Sequence, residues 1–169
     1  MALYLLQNGA AGLTAAPVVV TTAAVIKTLL QFKPSATTIA KIVEWGISFD
    51  GSSAATPGKV ELMESDVAAT VTAHAVADIT KYDSDALVGG DPTTNLIQVG
   101  TTATGYTASA EGTTTVARMF DLQLLPPTGP YVKQFPLGRE PVLQVAKFAR
   151  IRVTFPVAIN AYCYMIVSV

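Results

Sequence analysis

The chain is short of the residues from which catalytic and metal chemistry is usually built. It holds one cysteine and one histidine in 169 residues. A single Cys excludes an internal disulfide framework and a Cys-rich zinc module. A single His excludes a His-based metal cluster. Charge is scarce as well: 14% of the residues are Asp, Glu, Lys or Arg, against about a quarter in an average soluble domain. Eleven basic and twelve acidic side chains leave a net charge of −1. That offers no basic field for nucleic acid and no acidic bias toward disorder. No charged side chain precedes Lys27. A secretory signal needs a positive start followed by an apolar run, and Leu3 to Leu6 is too short for one. No window reaches the ~18 apolar residues of a membrane-spanning helix. These absences predict a soluble product made in the cytoplasm, with no membrane and no nucleic acid as partner.

What the chain does have is apolar and small. Half of it is hydrophobic, the mean hydropathy is +0.43, and 25 Ala with 21 Thr make up over a quarter. The apolar residues recur at period two, the spacing of a strand with two faces. Ile39, Lys41, Val43, Trp45, Ile47 and Phe49 fall on one face of a long strand closed by Asp50-Gly51. Val60 and Leu62 follow Pro57-Gly58, so the two runs predict antiparallel neighbours joined by a polar loop. Ile26, Thr28, Leu30 and Phe32 form an earlier run ended by Pro34. Near the C-terminus, Ala149, Ile151, Val153 and Phe155 alternate with Phe148, Arg150, Arg152 and Thr154. After Pro156 to Asn160, Ala161 to Val169 returns, which predicts a second hairpin. That last strand is apolar on both faces, Tyr162, Tyr164 and Ile166 against Cys163, Met165 and Val167. An edge strand of that pattern would aggregate, so it is central or its second face is covered by another subunit.

The middle is less regular. Val67, Val71, Ala75 and Ile79 suit an Ala-rich helix, yet Thr and Val over 67–77 favour a strand. Asp78 to Thr104 reads as a long loop with one short strand, Leu96 to Val99. Thr113 to Leu124 reads as a strand with Val116, Phe120 and Leu122 on one face. Leu125 to Pro141 carries five of the ten prolines and reads as an extended connection poor in hydrogen bonds. The sum is about eight or nine short strands and no long helix: an all-β, antiparallel, jelly-roll-like β-sandwich. Residues 25–169 form the single sandwich domain, and the uncharged residues 1–24 form an N-terminal arm or edge strand.

No chemistry stands out. His74 lies among Thr70, Thr72 and Thr80 and reads as a surface residue without nucleophile or orienting partner. Cys163 sits in an apolar strand and reads as buried and inert. Asp78, Asp83, Asp85 and Asp91 form the only acidic cluster. Asp83 and Asp85 match the start of a calcium loop, yet the rest of that spacing is missing, so the pair is a weak metal candidate. Residues 1–90 carry five basic and eight acidic side chains, and the remainder six and four, so the halves differ as −3 and +2. Complementary halves can steer copies of a chain together. The Pro-rich stretch places Tyr131, Phe135 and Leu137 beside Lys133 and Arg139, an expected interface to which Tyr162 and Tyr164 of the last strand add.

Five segments together resemble a family of small virion structural proteins of tailed bacteriophages. They are Lys27-Thr-Leu-Leu-Gln-Phe, Glu44-Trp-Gly-Ile-Ser-Phe-Asp-Gly51, Gly105-Tyr-Thr-Ala-Ser-Ala-Glu-Gly112, Lys133-Gln-Phe-Pro-Leu-Gly-Arg-Glu-Pro141 and Phe148-Ala-Arg-Ile-Arg-Val-Thr154. The resemblance runs in order from about residue 25 to the end and includes no catalytic signature. It implies a part of the virion. Small β-sandwich proteins of this size decorate and cement phage capsids, often as trimers. The expectation is therefore a non-enzymatic capsid decoration protein, without cofactor, acting as a homo-oligomer, with a trimer favoured, on the major capsid protein or other virion proteins. The competing expectation is a tail, fibre or baseplate component with a host-carbohydrate-binding role. Sugar sites need exposed Trp or Tyr, and Trp45 lies on the apolar face.

Overall fold

The computed structural model describes residues 2–10, 20–22, 24–51, 56–82 and 96–169. Its strands are β1 (Leu3–Gln7), β2 (Val20–Thr21), β3 (Lys27–Phe32), β4 (Ala40–Phe49), β5 (Gly58–Ser65), β6 (Thr70–Ala73), β7 (Thr80–Lys81), β8 (Gly105–Ala110), β9 (Ala117–Leu125), β10 (Tyr131–Gln134), β11 (Val142–Leu143), β12 (Phe148–Thr154) and β13 (Asn160–Ser168). One 3₁₀ turn, Val76–Asp78, is the only helical element among the described residues. The strands form two antiparallel sheets packed face to face, a β-sandwich. The first sheet runs β10-β4-β13-β1-β7, with β11 also on β4 and β2 also on β13. The second runs β6-β8-β3-β12-β5-β9. Among the described residues, ten strands have four or more residues, above the eight or nine expected.

Strict alternation explains the two best-defined strands. Ala161, Cys163, Met165 and Val167 of β13 point inward and are fully buried, while Tyr162, Tyr164 and Ile166 point outward. Ala149, Ile151 and Val153 of β12 meet them from the second sheet, and Phe155 continues that face. β13 is the central strand of its sheet, hydrogen-bonded to β1 and β4, which is the first of the two arrangements its apolar pattern allowed. Phe155 closes one end of the core edge-on to Phe49, with ring centroids 4.9 Å apart. It needs Gly58 to do so, because a Cβ there would lie 2.2 Å from its ring.

Both expected hairpins are overturned. β4 and β5 lie in different sheets, and so do β12 and β13. The chain therefore passes from one sheet to the other between Phe49 and Gly58 and between Thr154 and Asn160, not back along the same sheet. Among the described residues, no strand pairs with the next strand in sequence. Alternation reports which residues share a face; it does not report which strand lies alongside.

Local irregularities account for the remaining differences. The face expected from Ile39 to Phe49 breaks at Val43, where the register passes from Ile166↔Glu44 to Val167↔Ile42. This bulge moves the inward set from Ala40 and Ile42 to Trp45 and Ile47, and leaves Ile39 exposed. A second bulge, between Asp121 and Met119 on β9, removes Phe120 from the face it was expected to share with Leu122. Residues 70–73 form a strand, as Thr and Val favoured, with Val71 buried between exposed Thr70 and Thr72. Leu96 to Val99 contributes one isolated bridge, Pro34↔Ile97, not a strand. The Pro-rich connection contains β10, which pairs with β4 over four residues despite its flanking prolines. β1 has β13 on one side and β7 on the other, so Leu3–Gln7 is an inner strand of the sandwich, not an arm or an edge. Most of the remaining expected arm, 11–19, lies outside the described residues.

Candidate functional site

At one side of the sandwich, β9 and β10 are the outermost strands of their sheets and are joined by residues 126–130. Between them Asp121 is buried and accepts hydrogen bonds from Gln123 Nε2 (2.9 Å) and the Tyr131 hydroxyl (2.8 Å), with Lys133 Nζ at 3.3 Å. Burial alone would push its carboxyl up; the two hydrogen bonds and the ammonium charge outweigh it and hold the group below its ordinary value. Burial and the same carboxylate push the Tyr131 hydroxyl up to about 12. The Tyr131 ring packs on Trp45, centroids 5.4 Å apart, and Lys133 Nζ lies 5.6 Å above the Phe135 ring. Tyr131, Lys133 and Phe135 thus serve the closure of the sandwich. Leu137 and Arg139 stand apart from them on an exposed turn, where Gly138 has φ +81° and Leu137 is 94% exposed.

The outer side of this edge is different in kind. Met119, Leu122 and Leu124 of β9 project to solvent from one face, and Val116, just before the strand, is exposed as well. Leu124 is 74% exposed. Among the described residues, β9 pairs only with β5, so its other edge keeps free backbone donors and acceptors beside an apolar row. Natural edge strands usually guard against this with charge or proline. The nearest charge, Arg118, stays about half exposed while donating to Glu64 Oε1 (2.7 Å) and to the Val142 carbonyl (2.9 Å).

A second exposed feature lies on the outer face of the first sheet. Tyr162, Tyr164 and Ile166 of β13 line a shallow depression of about 230 Å³ with Leu5 of β1, Glu44 of β4 and Tyr82. The Tyr164 hydroxyl donates to Glu44 Oε1 (2.6 Å), and the Tyr162 hydroxyl donates to Gln7 Oε1. Both hydroxyls are pushed above the ordinary tyrosine range, by partial burial first.

The remaining candidates resolve as follows. His74 was expected at the surface; it is fully buried, because its ring turns under the end of β1. Its Nε2 lies 3.0 Å from the Gln7 carbonyl and 3.3 Å from the Gly9 carbonyl, its ring packs 5.0 Å from that of Tyr106, and Nδ1 has no partner among the described residues. Burial holds its pKa below 6.5. Its hydrogen-bond partners among the described residues are two carbonyls, which offer no proton to abstract and so build no general-base arrangement with it. Cys163 is buried, and burial pushes its thiol well above the usual range, which suits an inert structural residue. Asp83, Asp85 and Asp91 lie outside the described residues. Among the described residues, no three His, Cys, Asp or Glu are placed to hold a metal ion, and no helix is long and apolar enough to cross a membrane.

The basic second half was expected to steer copies together. Much of it is spent within the chain. Arg118 pairs with Glu64, Arg152 with Glu61, Lys133 with Asp121 and Arg150 with Glu111. The first two of these pairs join the acidic half to the basic half inside one molecule. The Arg150 cluster had no signal in the sequence: an alternating Arg reads as solvent-facing, yet Arg150 is fully buried beneath residues 111–114. No family model matches the chain, and no curated protein or solved structure matches it either.

Proposed function

We propose that the chain is a structural, non-catalytic component of a tailed-phage virion: a capsid decoration protein that binds the head shell as a homo-oligomer, with a trimer favoured. The observation that carries this reading is the apolar row Met119, Leu122 and Leu124 on the open edge of β9. The resemblance of its five segments to small phage virion proteins supports the same assignment. Covering a fully exposed Leu or Met contributes about 1.5–3 kcal/mol. Three exposed side chains therefore offer several kcal/mol per contact before the cost of association. Repetition over a shell turns modest contacts into firm attachment through avidity. Leu137, alone on its turn, adds a further exposed anchor. The virion is the place of action, after synthesis in the host cytoplasm.

Mass spectrometry of purified virions tests the reading. A copy number on the order of hundreds, as many repeated weak sites require, supports decoration. A handful per particle overturns it in favour of a tail or baseplate component. In solution, Leu122→Lys with Leu124→Lys is expected to shift the oligomer to monomer by light scattering while leaving the melting temperature of the fold nearly unchanged, since both side chains lie outside the core.

A further inference from the structure

We propose that the tyrosine-lined depression on the outer face of the first sheet binds a neutral sugar ring. The inference does not rest on the virion reading, because it concerns a site complete within one chain.

The first support is preorganisation. Tyr164 pairs in register with Gly46 on β4. A Cβ at that glycine would lie 2.5 Å from Tyr164 Cε1 and 2.9 Å from Cζ, so the ring rests directly on bare backbone. Its hydroxyl is anchored at the far end by Glu44, two residues before that glycine. Glu44 and Gly46 thus form a seat that holds one aromatic ring down against the sheet. A side chain already fixed loses little entropy when a ligand settles on it. The core does not require this seat, because Trp45, between the two, points the other way into the interior.

The second support is the chemistry of the lining. A pyranose ring has an apolar face of C–H groups and a rim of hydroxyls that both donate and accept. The depression offers the complement: aromatic surface from Tyr82, Tyr162 and Tyr164, aliphatic surface from Leu5 and Ile166, and a carboxylate. Glu44 Oε1 is occupied by Tyr164, and among the described residues no hydrogen bond engages Oε2. The Tyr162 hydroxyl, donating to Gln7, keeps an acceptor lone pair. A mostly apolar floor with a few placed polar groups is the general form of a small-ligand site.

The third support is charge. Among the described residues, the lining holds one carboxylate and no cation. An anionic ligand would meet Glu44 without compensation. A quaternary ammonium is favoured by converging aromatic walls; among the described residues, no stacked or edge-on ring contact joins any two of Tyr82, Tyr162 and Tyr164.

An array of neutral hexose and N-acetylhexosamine oligosaccharides, followed by NMR titration of the best hit, tests the proposal. The expected result is at least one saturable ligand with a dissociation constant on the order of 1 mM or tighter. Tyr82→Ala and Glu44→Gln are each expected to weaken it about tenfold at unchanged melting temperature, since one removes stacking surface and the other a charged acceptor. Leu122→Lys, on the distant edge strand, is expected to leave it unchanged. The proposal is overturned if no neutral sugar binds, if both variants bind as well as the parent, or if choline or inorganic phosphate binds more tightly than any sugar. It is also overturned if Tyr82→Ala changes the oligomeric mass instead of sugar affinity, which would assign this face to a second copy.

Discussion

Removing the Glu111 carboxylate strands a buried cation, and the size of the loss can be worked from the geometry. Glu111 Oε1 accepts the backbone N–H of Thr28 at 2.5 Å, standing where a strand neighbour would. Oε2 accepts the Thr28 hydroxyl at 2.7 Å and is the ion-pair partner of Arg150. Arg150 is fully buried, and its remaining partners are neutral: Thr28 Oγ1 (2.7 Å), the Glu111 carbonyl (3.2 Å), and Val67 O and Thr114 Oγ1 (both 3.4 Å). Burial lowers the guanidinium pKa and the Glu111 charge is the chief effect opposing that. Glu111→Ala therefore leaves an unpaired charge and an unmatched buried N–H. Breaking a buried pair from one side costs about 3–5 kcal/mol. The Glu111 side chain is 26% exposed, which places the expected loss near the lower end, about 3 kcal/mol. For a chain of this length that lowers the melting temperature by about 6–12 °C. Adding Arg150→Met removes the stranded charge and is expected to restore at least half of the loss, because an apolar replacement of the whole pair is often neutral. Urea denaturation and calorimetry of the two single variants and the double provide the cycle. A loss below about 1 kcal/mol for Glu111→Ala, or a double variant worse than the sum of the singles, refutes the burial argument.

Further outcomes follow from other sites. Gly58→Ala forces a methyl group into the Phe155 ring and is expected to cost about 1–3 kcal/mol by overpacking, read by thermal melting; an unchanged melting point contradicts the Phe155 placement. His74 is held neutral in the folded chain with its pKa below 6.5, so the unfolded chain binds the extra proton first. Stability is therefore flat above about pH 6.5 and falls as pH drops below it, by at most about 1.4 kcal/mol per pH unit. Between pH 7.5 and 5.5 the ordinary carboxylates stay ionised, so His74→Gln is expected to flatten that slope; a parent protein with no slope there refutes the assignment. Cys163 is expected to resist a thiol reagent in the native protein and to react fully in denaturant; rapid native labelling would contradict its burial.

The sandwich was legible because β12 and β13 alternate without interruption, so Ile151 and Cys163 declare an inside and Tyr162 and Tyr164 an outside. Partnership between strands was not legible. The polar loops after Asp50 and after Phe155 look alike whether the chain turns back or crosses to the opposite sheet. Bulges defeated period two at Val43 and Phe120, since one extra residue inverts every face beyond it. His74 and Arg150 looked solvent-facing because their covers come from far along the chain: Gln7, 67 residues before His74, and Glu111, 39 residues before Arg150. The seat of Tyr164 was hidden for the same reason, because Glu44 and Gly46 reach it only through the β4–β13 register.

The absence of any pairing between consecutive strands also sets how this chain must come together. Every ladder closes a long loop before it gains a hydrogen bond, as when Leu3 meets Ser168. Such topologies fold slowly, because no hairpin among the described strands is there to nucleate them. β13 links β1, β2 and β4, so the first sheet has no middle until β13 is in place. Until then the apolar faces of β3, β4 and β5 stand open, and a folding catalyst or chaperone has its longest opportunity to act. The same wiring works in reverse once the sheets are complete. No hairpin can peel away at an end, so release of any inner strand must disrupt ladders on both its sides. A molecule joined in this way is slow to assemble and correspondingly slow to come apart.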